Sequence, residues 1–177
     1  MVKVNVIITC YNKEDTIARA IDSVKRQTLD RFNCIVVDDD STDNSRQVIL
    51  QTIKDDDRFS YLRIKNAGVA NARNTGIAQG CAPFVTCLDG DDGLEPEFLE
   101  TCYNAISQDH TLGIVYTDIL LAHIDSYFTV ARWPEADESK QFEGFNQIPC
   151  CNMFRREVIE RLGGYRQRYA PKGAGAE

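Results

Sequence analysis

The segment Asp89-Gly90-Asp91-Asp92 places three carboxylates within four residues. It follows the apolar run Phe84 to Leu88, which we predict to be a buried strand. Acids this close together repel one another unless a positive charge lies among them. Carboxylate oxygens suit Mg²⁺ or Mn²⁺, and such an ion can bridge to the phosphates of a nucleotide. The segment is therefore a candidate metal site. An acidic surface turn is the alternative, because Asp-Gly is a common turn dipeptide.

Strand and helix patterns alternate from Val4 to Thr117. Short apolar runs between polar turns predict five strands, at 4–9, 34–37, 59–64, 84–88 and 114–117. Helical spacing predicts helices between them, the first capped by Asn12 and the third covering 67–79. This order is typical of an α/β fold with a mainly parallel sheet and helices on both faces.

In such sheets, ligands bind beyond the carboxyl ends of the strands. The first strand leads to Thr9 and Tyr11, the second to Asp38-Asp39-Asp40, and the fourth to the acidic segment. We expect these side chains to meet at one rim. No basic cluster accompanies them in the sequence, which favours a bound cation.

After about Leu120 the pattern is less regular. The spacing of Phe154, Val158, Ile159 and Leu162 predicts a helix over 152–162, closed by Gly163-Gly164. The segment around Trp133 and the polar run 137–141 indicate a loop.

Composition limits the classes of function. The chain has 177 residues, which suggests one domain, and a net charge of −7, which argues against a nucleic-acid partner. Seven cysteines without a C-x-x-C spacing indicate buried free thiols in a reducing compartment. The first residues lead directly into a predicted strand, so we expect no signal peptide, and no apolar stretch in the sequence is long enough to span a bilayer. We therefore expect a cytoplasmic protein, with peripheral attachment to the inner face of the membrane left open.

Five segments of the chain resemble glycosyltransferase family 2, a large family of inverting enzymes with a GT-A fold. They occur in the family's order over most of the chain and are Val6-Ile7-Ile8-Thr9-Cys10-Tyr11-Asn12, Val36-Val37-Asp38-Asp39-Asp40-Ser41-Thr42-Asp43, Ala72-Arg73-Asn74-Thr75-Gly76-Ile77, Leu88-Asp89-Gly90-Asp91-Asp92, and Phe154-Arg155-Arg156 running to Gly163-Gly164-Tyr165. The resemblance implies a single GT-A domain with a Rossmann-like first half. Residues 1–118 would form the nucleotide-binding half and 119–177 the start of the acceptor-binding half.

The resemblance also implies a role for each matching residue. Thr9, Tyr11, Asp39, Arg73 and Asp89 would bind the nucleotide, with Tyr11 packing on the base and Asp39 accepting the N3–H of uracil. Asp91 would be the direct ligand of Mn²⁺ or Mg²⁺.

The sequence departs from the family at Asp40, where family members commonly carry Gly. Gly tolerates a positive φ, and Asp tolerates it less well but is among the better substitutes. The departure therefore leaves the detailed shape of this loop open.

The implied activity is metal-dependent transfer of a sugar from a nucleotide-diphosphate sugar, expected to be a UDP-sugar, to a saccharide or lipid-linked acceptor with inversion. The products would be polysaccharides or other glycans. The family's catalytic base is usually the Asp of a Glu-Asp pair. Glu177 matches the Glu of that pair, so we expect the base just after Glu177 and regard the chain as part of a longer protein. The alternative function is a nucleotide-binding module without turnover.

Other classes fit the residues less well. A nucleotidyltransferase usually has a Gly-rich basic loop after its first strand, where this chain has Cys10 to Lys13. A haloacid-dehalogenase-like phosphatase has its D-x-D after the first strand, and a dinucleotide-dependent dehydrogenase requires G-x-G-x-x-G. His123, Trp133 and the Cys150-Cys151 pair could approach an acceptor, although structural roles suit them equally well.

Overall fold

The computed structural model describes residues 1–122, 128–132 and 150–166. Its centre is a six-stranded sheet with strand order β3-β2-β1-β4-β8-β5, beside which β6 and β7 form a separate antiparallel pair. The strands are β1 (Val4–Cys10), β2 (Phe32–Asp38), β3 (Phe59–Arg63), β4 (Phe84–Asp89), β5 (Ile114–Tyr116), β6 (Ile119–Ala122), β7 (Phe128–Ala131) and β8 (Asn152–Arg155). Strands β1 to β4 pair in parallel, and β8 pairs antiparallel with both β4 and β5. The prediction of a mainly parallel sheet is confirmed.

Helices cover both faces of this sheet. They are α1 (Ile17–Lys25), α2 (Ser45–Ile53), α3 (Val69–Gln79), α4 (Phe98–Gln108) and α5 (Arg156–Arg161). Val6 and Ile8 pack with α1, α2 and α4 in one apolar cluster, whereas Ile7 and Val85 pack with α3 and α5 in the other. Because neighbouring β1 residues point to opposite faces and both faces are buried, the strand is apolar at almost every position.

The prediction of one helix over 152–162 is wrong in its first part. Residues 152–155 form β8, which lies between β4 and β5, and only 156–161 are helical. Met153 and Phe154 are both buried, one in each apolar cluster, as adjacent residues of a strand covered on both faces must be. Pairing with two distant strands therefore outweighs the local helical spacing.

Asn12 is not the N-cap of α1, which begins at Ile17. Instead Asn12 has φ 51°, and its Oδ1 accepts a hydrogen bond from the backbone N–H of Thr42. Asp40, whose loop shape the sequence left open, has φ 67°, the conformation that Gly would tolerate, and its carboxylate pairs with Arg63. The two left-handed residues thus lie in neighbouring loops beyond β1 and β2.

Several predictions concern residues outside the described ranges, namely His123, Trp133, the run 137–141 and Glu177. Four cysteines are buried as predicted (Cys10, Cys34, Cys87 and Cys102), but Cys81 and Cys150 are exposed. In the described ranges, no helix combines the length and apolar character needed to cross a membrane.

Candidate nucleotide and metal site

The site residues meet because β1 lies between β2 and β4. In the register of these strands, Thr9 lies beside Asp89 and Cys10 beside Asp38. Backbone hydrogen bonds continue past the strand ends, from the N–H of Asp39 to the carbonyl of Cys10 and from the N–H of Gly90 to the carbonyl of Thr9. The loops after β2 and β4 are therefore held against the end of β1, and the predicted rim exists.

A cleft of about 410 Å³ opens at this rim. Its lining includes every predicted site residue except Arg73, together with one lysine: Thr9, Tyr11, Lys13, Asp39, Asp89 and Asp91. Arg73 lies beside this group and donates a hydrogen bond to Asp89. The sequence-based selection of these residues as neighbours thus agrees with their positions.

Asp39 is almost fully buried at the cleft wall. Its two carboxylate oxygens accept hydrogen bonds from the backbone N–H groups of Ala67 and Gly68, at 2.9 and 2.8 Å. These N–H groups immediately precede α3, where backbone donors lack partners within the helix. Each carboxylate oxygen can accept a further bond, so Asp39 can both secure the start of α3 and receive a donor from a ligand.

Asp38, in contrast, is a structural residue. It is fully buried, and its oxygens accept hydrogen bonds from the N–H of Ser41 and the hydroxyl of Tyr61. Burial and the hydrogen bond to Asp38 raise the pKa of Tyr61 to about 12. Asp38 therefore anchors the loop after β2 to the protein interior, whereas the next residue, Asp39, lines the cleft.

Asp89 receives two side-chain donors on one carboxylate oxygen. The hydroxyl of Thr9 lies 3.1 Å from Oδ1, and a guanidinium nitrogen of Arg73 lies 2.6 Å from the same atom. The guanidinium of Arg73 is also packed on the ring of Tyr165, with 5.2 Å from Cζ to the ring centroid. Asp89 is thus oriented from both sides before any ligand binds.

Asp91 is compensated by two cations. The ammonium of Lys13 lies 2.6 Å from Oδ2, and Arg19 donates to the backbone carbonyl of Asp91 at 2.6 Å. The hydrogen bond from Lys13 lowers the pKa of Asp91 and in turn raises that of Lys13. The expectation that no basic cluster accompanies the acids is therefore wrong, since Lys13 and Arg19 lie among them together with the expected Arg73.

Gly90 allows the acidic loop to approach β1. A Cβ atom at Gly90 would lie 2.9 Å from the carbonyl oxygen of Thr9 and 3.2 Å from Ile17. The hydroxyl of Thr16 also donates to the carbonyl of Gly90. A larger residue would push the loop, and with it Asp91, away from the end of β1.

The donor set fits a Mg²⁺ or Mn²⁺ ion shared with a diphosphate. Among the described residues, no three His, Cys, Asp or Glu side chains are grouped as ligands for a metal. However, Mg²⁺ is usually held by one or two carboxylates together with substrate phosphates, and Asp91 provides one such carboxylate. Burial and the charges of Asp89 and Asp91 raise the pKa of Asp92. An added cation would relieve this accumulation of negative charge.

The sequence analysis missed Lys13, Asn66 and Val69, which also line the cleft. A signal for Asn66 and Val69 was present, because they follow the predicted third strand, whose carboxyl end reaches the same rim. Lys13 follows the predicted first strand in the same way, but nothing in the sequence indicated its contact with Asp91. It precedes Asp91 by 78 residues, and only the folded chain brings the two together.

A second cavity of about 540 Å³ lies behind Arg73. Its lining is mainly apolar and includes Phe154, Val158, Leu162 and Tyr165, with Cys150 at its edge. The expectation that Cys150 is buried is wrong, since it is exposed. A hydrogen bond from Cys151 lowers the pKa of the Cys150 thiol to about 7.

Comparison with known proteins identifies the family. The sequence profile described as "Glycosyl transferase family 2" matches residues 5–163. The chain belongs to glycosyltransferase family 2. Glycosyltransferase GlyA of Streptococcus pneumoniae serotype 4 is 36% identical over 176 residues, which cover 90% of this chain and 25% of GlyA. The chain thus spans about a quarter of the length of this family 2 relative.

Solved structures establish the fold. S. aureus TarS 1-349, in complex with UDP-GlcNAc, superposes with a TM-score of 0.75 at 21% identity, over 92% of this chain and 48% of that one. The mannosyltransferase PcManGT from Pyrobaculum calidifontis, in complex with GDP-Man and Mn²⁺, gives 0.71 at 21% identity, over 93% and 47% of the two chains. The GT-A fold expected for a family 2 chain is therefore confirmed.

Proposed function

We propose that this chain forms the donor-binding part of an enzyme that transfers a sugar from a UDP-sugar to an acceptor hydroxyl. The observation that carries the proposal is the convergence of Thr9, Asp39, Asp89 and Asp91 on one cleft at the carboxyl ends of β1, β2 and β4. Family membership supports it, and so do the nucleotide sugars bound by two proteins of the same fold.

The base would lie between Tyr11 and Asp39. Tyr11 is 47% exposed at the cleft, so its ring is available to pack against a planar base. Asp39 offers only acceptors to a ligand when it is ionised. Uracil presents an N3–H donor, whereas cytosine has no hydrogen at N3. The preference for uridine therefore rests on Asp39, since the two related structures contain different nucleotides.

The ribose and diphosphate would extend from Thr9 towards Asp91. Asp89, fixed by Thr9 and Arg73, would accept hydrogen bonds from ribose hydroxyls. Asp91 would hold the divalent cation, whose contribution is to neutralise charge growing on the departing diphosphate. Lys13 lines the same cleft, and its ammonium can pair with a phosphate once it leaves Asp91. Arg19 would keep the acidic loop in place through the backbone of Asp91.

The remaining steps concern parts of the protein that are not described. Inversion requires a base opposite the leaving group, and we keep the prediction that it follows Glu177. A saccharide or lipid-linked acceptor, a product that is a polysaccharide or other glycan, and a cytoplasmic location stay predictions from the sequence.

The proposal is tested by calorimetric titration of UDP, CDP and GDP into the chain in the presence of Mn²⁺. We expect UDP to bind more tightly than CDP, because uracil presents an N3–H donor to Asp39 and cytosine does not, and GDP serves as the comparison with a purine base. Equal affinities would contradict the assignment of Asp39 to the base. Binding of none of the three nucleotides by the folded chain would contradict the donor site itself.

A further inference from the structure

A paired hydrogen bond connects α3 to the residue that follows the two glycines after α5. The side-chain Nδ2 of Asn74 donates to the backbone carbonyl of Tyr165 at 2.9 Å, and Oδ1 accepts from the backbone N–H of Tyr165 at 2.8 Å. The two residues are 91 positions apart. Asn74 directly follows Arg73 in the sequence, so the contact lies beside the candidate donor site but outside its cleft.

The turn before Tyr165 is shaped to allow this contact. Gly163 and Gly164 have φ values of +77° and +80°, and their N–H groups cap the end of α5 by donating to the carbonyls of Glu160 and Ile159. A Cβ atom at Gly164 would lie only 2.6 Å from Oδ1 of Asn74. The turn therefore delivers the backbone of Tyr165 to Asn74 at a distance that only glycine permits.

The contact also fixes the aromatic ring of Tyr165. The ring packs edge-to-face on Phe154, with 6.5 Å between centroids, and lies 5.2 Å from Cζ of Arg73. Burial and the nearby Cys87 thiol keep the pKa of Tyr165 far above its usual range, so the hydroxyl remains neutral. Tyr165 is thus a partly buried, uncharged cover over one side of the Arg73 guanidinium.

Arg73 depends on this cover for its orientation. One guanidinium nitrogen is bonded to Asp89 at 2.6 Å, whereas the buried Nε has no hydrogen-bond partner among the described residues. A buried donor without a partner is costly. If the ring of Tyr165 moved away, Nε could reach water by a rotation of the side chain that would loosen the contact with Asp89.

We propose that Asn74 is a positioning residue of the donor site. By holding the backbone of Tyr165, Asn74 keeps the ring over Arg73, and Arg73 in turn holds Asp89 in the orientation that receives the nucleotide. Asn74 touches neither nucleotide nor metal in this arrangement. The proposal rests on the proposed function, because its effect is read through nucleotide binding.

The test is a double-mutant cycle on UDP affinity, measured by calorimetry with Mn²⁺ in the full chain. We expect Asn74→Ala to weaken UDP binding about fivefold, since coupled neighbours typically interact by about 1 kcal/mol. In an Arg73→Ala background, the same substitution should have no further effect. Asn74→Ser removes both hydrogen bonds to Tyr165 and keeps a small polar side chain, so it serves as a second variant if Asn74→Ala does not fold. Asn104→Ala, at an exposed position of α4, is the control and should leave affinity unchanged.

The outcomes separate the two proposals. An unchanged affinity in Asn74→Ala, or an equal loss with and without Arg73, would overturn the positioning role while leaving the donor site in place. A purely structural role would give the second result, because general destabilisation does not depend on Arg73. Failure of the unmodified, folded chain to bind UDP would overturn the proposed function and, with it, the role of Asn74.

Discussion

The ammonium of Lys13 lies 2.6 Å from the carboxylate of Asp91, the residue to which the sequence assigns the metal. Both side chains are partly exposed, at 38% and 46%, so a diffusing cation can reach the carboxylate. In the absence of a ligand, Lys13 therefore supplies a positive charge at the point where Mn²⁺ or Mg²⁺ would bind. Metal binding must displace this ammonium.

We expect Lys13→Met to increase the affinity of the nucleotide-free chain for Mn²⁺ by up to about fivefold, because an exposed ion pair contributes at most about 1 kcal/mol. Titration of Mn²⁺ followed by electron paramagnetic resonance of the free ion measures this affinity. Lys54→Met is the matched control, since Lys54 is 65% exposed and pairs with Asp55 at 3.8 Å. Equal Mn²⁺ affinities for the unmodified chain and Lys13→Met would show that the ammonium does not compete with the metal.

Substitutions of Gly163 and Gly164 test how tightly the turn before Tyr165 fits against Asn74, because only one of the two glycines lies close to that side chain. Both have positive φ, but a Cβ atom at Gly163 would meet open space, whereas one at Gly164 would collide with Asn74. We expect Gly163→Ala to lower the free energy of unfolding by about 1 kcal/mol through backbone strain alone. Gly164→Ala should cost about 1 kcal/mol more through loss of the Asn74 contact. Urea unfolding compares them, and equal losses would argue against a tight fit at Asn74.

Asp39→Asn tests the double role of this carboxylate. An amide would direct its NH₂ group at the backbone N–H of Ala67 or Gly68, so we expect unfolding free energy to fall by about 1–3 kcal/mol. The preference for UDP over CDP should also fall. Asp40→Asn is the adjacent control, because Asp40 is a surface partner of Arg63 and Asn tolerates positive φ. Urea unfolding and the UDP and CDP titrations measure both effects, and a preserved preference in Asp39→Asn would remove Asp39 from base recognition.

Ionisation of the Tyr61 hydroxyl makes the free energy of unfolding depend on pH in the alkaline range. Its pKa is about 12 in the folded chain, against an ordinary value of 10.0 for a tyrosine hydroxyl, so the folded state holds this proton more tightly. The stabilisation is therefore fully present below pH 10 and is lost as pH rises through about 12. We expect Tyr61→Phe to flatten this alkaline decrease in unfolding free energy, and Tyr103→Phe, at a ring packed on Phe84, to preserve it. The same slope in all three proteins would contradict the assignment.

Much of the fold follows from local patterns. The apolar runs that became β1, β2 and β4 are buried on both sheet faces, so continuous hydrophobicity indicates them directly. The rim could be predicted for the same reason, since parallel strands end at one edge. Local patterns do not show which strands pair when they lie far apart in the sequence. Residues 152–155 have helical spacing but join two strands that end far earlier in the chain.

The positive charges that lie beside the acids could not be predicted from local patterns for a similar reason. Lys13 and Arg19 precede Asp91 by 78 and 72 residues, and Arg73 was placed at the site by the family resemblance, not by the local pattern of its helix. A sequence window around the acidic segment therefore shows acids alone. Asn12 was misassigned because its partner Thr42 lies in another loop. Side-chain partners from separate elements are decided by packing, which a single sequence does not display.

The measurement that tests the account most directly is titration of UDP into the chain with Mn²⁺ and with EDTA, alongside an Asp91→Ala variant. We predict binding that requires Mn²⁺ and is lost in Asp91→Ala, with both proteins folded by circular dichroism. Binding of equal strength in EDTA, or in the variant, would contradict the assignment of Asp91 to the metal. Absence of binding to the folded, unmodified chain in Mn²⁺ would contradict the donor site.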